Sequence, residues 1–376
     1  MSCIAANNFL LIVARDLHLD CYNHKEHSYF DISKKPEEND DHICDITLSS
    51  DNKYLAIITS VSKKLIIYDL PQMTEFKCFI LPRSASKIRF SSDNANILVA
   101  DKSGDVLIYD FIDGNSGTKL LGHLSLLLDV LQTYNNKYII TCDRDEKIRV
   151  SCYPNTYNIQ TYCLGHKEFV NHIEILPHND KFLTSSSGDG TVICWDYENG
   201  KLCYTINAYL DVDDNKLSEN FYKIMDEEGV EISRLPIVHY TITKLDKKSS
   251  LIASMIHSFN KILIYKLETN DNQFKHQKEE MLLLKRFPAA MVFIKGALLL
   301  YDDVDYIVSI MSIINCNDKI TFQIDKKITM FEDKIVTFNS RLSLDAIKIL
   351  YKRKFDNVQE YQERKKQRIE KLSKLI

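Results

Sequence analysis

Apolar and polar positions alternate along most of this chain in short bursts, and the bursts come in sets. Five segments align: ICDITLSSDNKYLAIITSVSKKLIIYDL at 43–70, SKIRFSSDNANILVADKSGDVLIYDF at 86–111, LDVLQTYNNKYIITCDRDEKIRVSCY at 128–153, VNHIEILPHNDKFLTSSSGDGTVICWDY at 170–197 and HYTITKLDKKSSLIASMIHSFNKILIYKL at 239–267. Each reads as a strand of period two, a polar turn such as SSDN or HND, a second strand, another polar turn and a third strand closing in YD, WD or a degenerate form. A sixth, blurred set follows at 289–313. FLLIVA, DLHLDCY and SYFDI precede the first full set, and DKIVTFN lies at 333–339.

The closing positions Asp69, Asp110, Ser151 and Asp196 are 41, 41 and 45 residues apart, and Gly122-His123 recurs as Gly165-His166. A period of about 40–45 residues, with G-H before and W-D after, is the mark of a β-propeller blade. The expected fold is therefore all-β: one seven-bladed WD-repeat propeller over 1–350, with a basic helical tail at 351–376. A seventh blade assembled from strands of both termini would close the ring and remove its edge strands.

Only Trp195-Asp196 is a complete W-D pair. His166, Ser185, Asp189 and Trp195 fall where such blades hold a buried hydrogen-bonded tetrad, a structural network that fixes strand packing. The same residues read less well as a catalytic Ser-His-Asp set.

Two stretches break the rhythm. DVDDNKLSENFYKIMDEEGVE at 211–231 carries eight acids against two Lys. It reads as a solvated surface loop or as an acidic arm for a basic partner. KRKFDNVQEYQERKKQRIEKLSK at 352–374 reads as an amphipathic basic helix. Its Lys352, Arg353, Lys354, Arg364, Lys365, Lys366 and Arg368 suit either a rim contact, a phosphate backbone or a nuclear-import signal.

Composition narrows the chemistry. The chain has 376 residues and a net charge of −4, so any nucleic-acid contact must be local. No apolar run approaches the roughly 20 residues of a membrane-spanning helix. No signal peptide is expected, and the ten Cys show no zinc-ligand spacing, reading as reduced thiols mostly buried in strands. Phosphate-loop, dinucleotide-turn, zinc-protease and nucleophile-elbow motifs are absent, so no enzyme is read here.

LLGHLSLLLDVL at 120–131, TCDRDEKIRVSCYP at 141–154, YCLGHKEFV at 162–170 and SGDGTVICWDY at 187–197 resemble, in that order, the WD-repeat non-catalytic subunit of tRNA (guanine-N7-)-methyltransferase, the wuho family of insects. FDNVQEYQERKKQR at 355–368 resembles that family's C-terminal segment. The resemblance implies a heterodimer in which the propeller stabilises a separate catalytic subunit that methylates a variable-loop guanine of tRNA. S-adenosylmethionine would belong to that partner, leaving this chain without a cofactor, and tRNA would be met through the complex. The nucleus is the expected location, with the cytoplasm as a second one.

The turn at 142–147 is charged at every position after Cys142, and Ser151 sits where an aromatic is usual. Asp145 alone is expected to serve the turn. Arg144, Asp145, Lys147 and Arg149 are then candidate partner contacts, Lys147 and Arg149 alternating on one strand face so that an Arg grips a partner carboxylate. The competing functional class is a general interaction propeller, such as a ubiquitin-ligase substrate adaptor.

Overall fold

A computed structural model describes residues 2–23, 26–32, 41–70, 72–114, 117–230, 232, 234–316, 319–331, 344–352 and 366. Seven antiparallel sheets of four consecutive strands occupy residues 2–31, 43–80, 85–122, 127–163, 170–206, 237–278 and 290–329. We number them blades 1 to 7. The sixth gains a short extra strand, Leu282–Leu283, paired to its third strand. First strands line the central channel and contact one another from blade to blade.

Burial follows from this geometry. A middle strand is covered on both faces by neighbouring blades, so Phe182–Ser187 and Ser249–Ile256 are buried along their whole length. The fourth strand lies at the rim and alternates, as in Thr74–Ile80. This gradient explains why the first three strands of each set were conspicuous in the sequence and the fourth was not.

Ring closure differs from the sequence expectation. Blade 1 is built entirely from the first residues of the chain and blade 7 from Ala290–Ile294 onward, with no sheet shared between the two ends among the described residues. Closure is by packing instead. Leu11 and Val13 of blade 1 pack with Leu299, Tyr301 and Val308 of blade 7. The Arg15 guanidinium donates to the Asp303 carbonyl at 2.6 Å, and the Phe331 amide donates to Asp20 Oδ2 at 2.6 Å. The last described strand ends at Thr329, and the apolar run at 333–339 lies outside the described residues.

The acidic insertion is not a loop either. It folds as a 3-10 turn, Ala208–Asp211, followed by helix α1, Asn215–Glu227, whose N-terminus is capped when Asp214 accepts from the Leu217 amide at 3.0 Å. Phe221 and Met225, four positions apart, are buried against blades 5 and 6. A second helix, α2, spans Leu344–Lys348. All ten Cys lie in strands and are free, but only Cys21, Cys142, Cys163 and Cys194 are buried, fewer than expected.

Candidate partner-binding face

The turns between second and third strands, and the loops leading from one blade to the next, share one face of the ring. In blade 5 this face carries the predicted tetrad. Trp195 Nε1 donates to Ser185 Oγ at 2.8 Å, His166 Nε2 lies 2.7 Å from that hydroxyl, and His166 Nδ1 lies 3.1 Å from Asp189 Oδ2. Burial alone would raise the Asp189 pKa. Hydrogen bonds involving His166, Thr191 and the Lys167 amide reverse this and hold it at about 2. Every polar atom of the tetrad is engaged inside the blade, so it serves packing.

Blade 4 meets the same need with different residues. His123 Nε2 lies 2.8 Å from Thr141 Oγ1 and Nδ1 lies 2.9 Å from Asp143 Oδ2. Asp143 Oδ1 accepts from the amides of Asp145 and Lys147 at 2.9 and 3.0 Å. Asp143, not Asp145, therefore organises the turn. Placed two residues earlier than Asp189, it escaped alignment by motif position.

Arg149 is a second correction. Ser151 pairs across to Ile139 as Trp195 pairs to Leu183, so a small hydroxyl stands in the indole position. Arg149 is only 9% exposed and is spent beside it. Its Nε donates to Ser151 Oγ at 2.9 Å, and its two terminal nitrogens donate to the carbonyls of Gly122 and Thr156 at 3.1 and 3.0 Å. Burial lowers its pKa, and it cannot also fork onto a partner carboxylate. Lys147 precedes the strand Ile148–Cys152 and is exposed, so the two cations do not share an outward face.

What remains outward is a charged corner. Arg144 and Asp145 keep 39% and 31% of their side chains exposed, with Arg144 Nε 3.9 Å from Asp145 Oδ1. The Arg144 amide donates to the Leu126 carbonyl at 2.9 Å, which brings the 123–126 loop alongside. Leu124 in that loop is fully exposed, and Leu164, next to the Cys163 that pairs with Ile148, is exposed as well. These two leucines were missed in the sequence. The available signal was an apolar residue directly beside each Gly-His pair.

Lys352, the first candidate tail cation, reaches this corner and pairs with Glu146 at 2.5 Å. Lys366 is described only as a helical, exposed position, while Arg353, Lys354, Arg364, Lys365 and Arg368 lie outside the described residues.

Beneath this face, a register shift at each of several first strands gives Asp45, Lys87, Asp129, His172 and His239 equivalent places, and all of them but the buried Asp129 line the channel mouth. Lys87 pairs with Asp45 at 2.8 Å. Arg89 clamps Asp129 through two hydrogen bonds of 3.0 and 2.8 Å and reaches Glu174 at 2.8 Å, stapling blades 3, 4 and 5. Asp129 is fully buried. Arg89 and His172 overcome that burial and hold its carboxyl well below the usual range. Burial and Lys87 push His239 down to about 4. The charges are matched in pairs, and no group of three or more metal-type donors occurs among the described residues. No described helix is long and apolar enough to cross a membrane.

Comparison with known proteins agrees with this architecture. A family described as the tRNA methyltransferase TRM82 WD40 domain matches residues 22–119 and 115–313. The tRNA (guanine-N(7)-)-methyltransferase non-catalytic subunit wuho of Culex quinquefasciatus is 30% identical over 359 residues, covering 92% of this chain and 80% of that relative. The subunit of the same name from Drosophila mojavensis is 42% identical over 162 residues, so that match spans 42% of the relative's length. Among solved structures, a chain of the mitotic checkpoint complex superposes with a TM-score of 0.64 at 12% identity, covering 81% of this chain and 88% of that one. The RRP9 WD40 repeats give 0.61 at 14% identity, covering 79% and 86%. At such identities these two establish a shared propeller fold alone. The family match across most of the chain, with a relative aligned along nearly its full length, shows that this chain belongs to the tRNA methyltransferase TRM82 WD40 domain family.

Proposed function

We propose that this chain is the non-catalytic subunit of a tRNA (guanine-N7-)-methyltransferase. It forms a heterodimer with a separate S-adenosylmethionine-dependent subunit, which methylates a variable-loop guanine of tRNA. The chain itself supplies a rigid face and no methyl donor site. The observation that carries this reading beyond family membership is the blade 4 corner. Asp143 and Arg149 satisfy the blade internally. That leaves Arg144 and Asp145, 3.9 Å apart, and the exposed Lys147, flanked by Leu124 and Leu164, outside the internal network of the blade. Apolar anchors beside partly exposed charges are the ordinary composition of a specific protein interface.

The basic tail, of which Lys352 reaches this corner, adds phosphate contacts to the tRNA that the catalytic subunit holds. The same residues would serve nuclear import, which fits a nuclear complex.

The test is co-purification of the two subunits. Reversing Arg144 and Lys147 together to Glu should reduce recovery of the catalytic subunit at least tenfold while the melting temperature of the isolated propeller stays within a few degrees. Leu124→Asp should act in the same direction. Full recovery with either variant would move the interface elsewhere.

A further inference from the structure

Two described parts of the chain lie outside the ring's strands, the acidic insertion and residues 344–352, yet they bury side chains together. Phe221 and Met225 of α1 belong to one apolar cluster with Phe169, Ile347 and Tyr351. Ile347 and Tyr351 are each 3% exposed. The Tyr351 ring meets Phe169 edge-on with centroids 5.0 Å apart, and its hydroxyl donates to the Gly188 carbonyl at 3.1 Å. Ion pairs close both ends: Lys348 Nζ lies 2.8 Å from Glu228 Oε1, and Lys352 Nζ lies 2.5 Å from Glu146 Oε1. Ala346, just before these residues, borders the mouth of the central channel, a cavity of about 620 Å³.

The path of the chain gives these contacts meaning. The last strand ends in blade 7, and Lys352 sits on blade 4, on the opposite side of a seven-membered ring. A five-residue helix such as α2 does not hold together alone. Its order comes from α1 and blade 5. Released, the tail would be rooted no nearer than Phe331, at the seam between blades 7 and 1. A tethered group acts at an effective concentration set by where its tether is rooted.

We propose that α1 and residues 344–352 form a latch that roots the basic tail at the blade 4 corner, beside the surface assigned to the catalytic subunit. The acidic insertion is thereby a docking element for the chain's own end. Ile347, Tyr351 and Lys348 act as positioning residues. The consequence for tRNA rests on the function proposed above; the latch itself does not.

Hydrogen exchange and steady-state kinetics test the two parts separately. Exchange of 215–227 and 344–352 is followed in the full-length chain. The variants are Ile347→Ala with Tyr351→Ala, Lys348→Glu, and Lys348→Glu with Glu228→Lys. The first two should exchange at least tenfold faster over 344–352, with α1 loosened alongside, and the charge swap should restore protection. Unchanged exchange in the double alanine variant would overturn the latch. In the reconstituted two-subunit complex, latch release should raise the tRNA KM several-fold, up to the level of a chain truncated after Lys352, at constant kcat. If truncation raises KM and latch release does not, the latch does not position the tail. If truncation itself leaves KM unchanged, the tRNA role of the tail falls with its consequence, and exchange alone decides the latch.

Discussion

Arg149 is buried beside Ser151, the residue that stands where blade 5 has its indole, and its contacts set what each substitution does. Three nitrogens of a buried guanidinium donate to Ser151, Gly122 and Thr156. Arg149→Lys keeps the charge but abandons part of that fork, which costs about 1–3 kcal/mol. Arg149→Glu buries an unpaired anion against two carbonyls and costs about 3–5 kcal/mol. Thermal melts of the isolated chain should rank wild type above Lys above Glu. Equal melting temperatures would mean that the guanidinium faces outward after all. Asp129 is a second residue with a measurable signature. Its folded-state pKa lies below the ordinary carboxylate value of about 4. The staple to Arg89 therefore contributes fully at neutral pH and is lost as pH falls below that value toward the folded-state pKa. Asp129→Asn should lower stability at pH 7 and flatten the acid limb of a stability profile; an unaltered acid limb would remove Asp129 from the staple. Glu168 has the opposite sign. Burial, with Glu146 and Asp189, raises it to about 7, so ionising it opposes folding as pH rises toward that value. Glu168→Gln should raise the melting temperature at pH 8 more than at pH 5. None of these three roles was legible in the sequence, because each depends on what lies across a blade boundary rather than on spacing along the chain.

Among the elements, the ring strands were legible and α1 was not. Leu217, Phe221 and Met225 recur every fourth residue in 211–231, the mark of one helix face, but eight acids in the same stretch made a solvated loop the natural reading. Composition described the outer face, and the buried face needed only two residues to dock it. Phe221→Asp should detach α1, seen as rapid proteolysis within 211–231, while the ring melts near its original temperature. Wild-type protease resistance would show that Phe221 is not the anchor. The blade 4 turn was found for a sound reason, an unusual density of charge, yet its residues divide differently from the expectation. Asp143 and Arg149 turned inward, while Arg144, Asp145 and Lys147 remain outward. Spacing locates a turn, but which side of a strand a residue faces depends on register shifts that spacing does not carry.

For the molecule as a whole, the period of 41 to 45 residues, the two G-H pairs and the one W-D pair were enough to specify a propeller and its seven blades. The manner of closure was not, since Ser2–Ala6 is a short strand at the chain end and gives no indication of which sheet it joins. With blade 1 made wholly of N-terminal strands, removing residues 1–31 should delete one blade and leave first strands of blades 2 and 7 unpartnered at the gap. The chain should then lose cooperative melting and aggregate, and a truncated chain melting at the native temperature would contradict the closed ring. A ring closed by side-chain packing also presents a fixed face, which is what a non-catalytic subunit needs if it is to hold another protein in one orientation. The most direct measurement is N7-methylguanine content of tRNA after depletion of this chain and re-expression of chosen variants. The account predicts loss of the modification on depletion, rescue by wild type, and no rescue by the variant with Arg144 and Lys147 both changed to Glu, despite a folded propeller. Full modification in depleted cells, or full rescue by that variant, would contradict it.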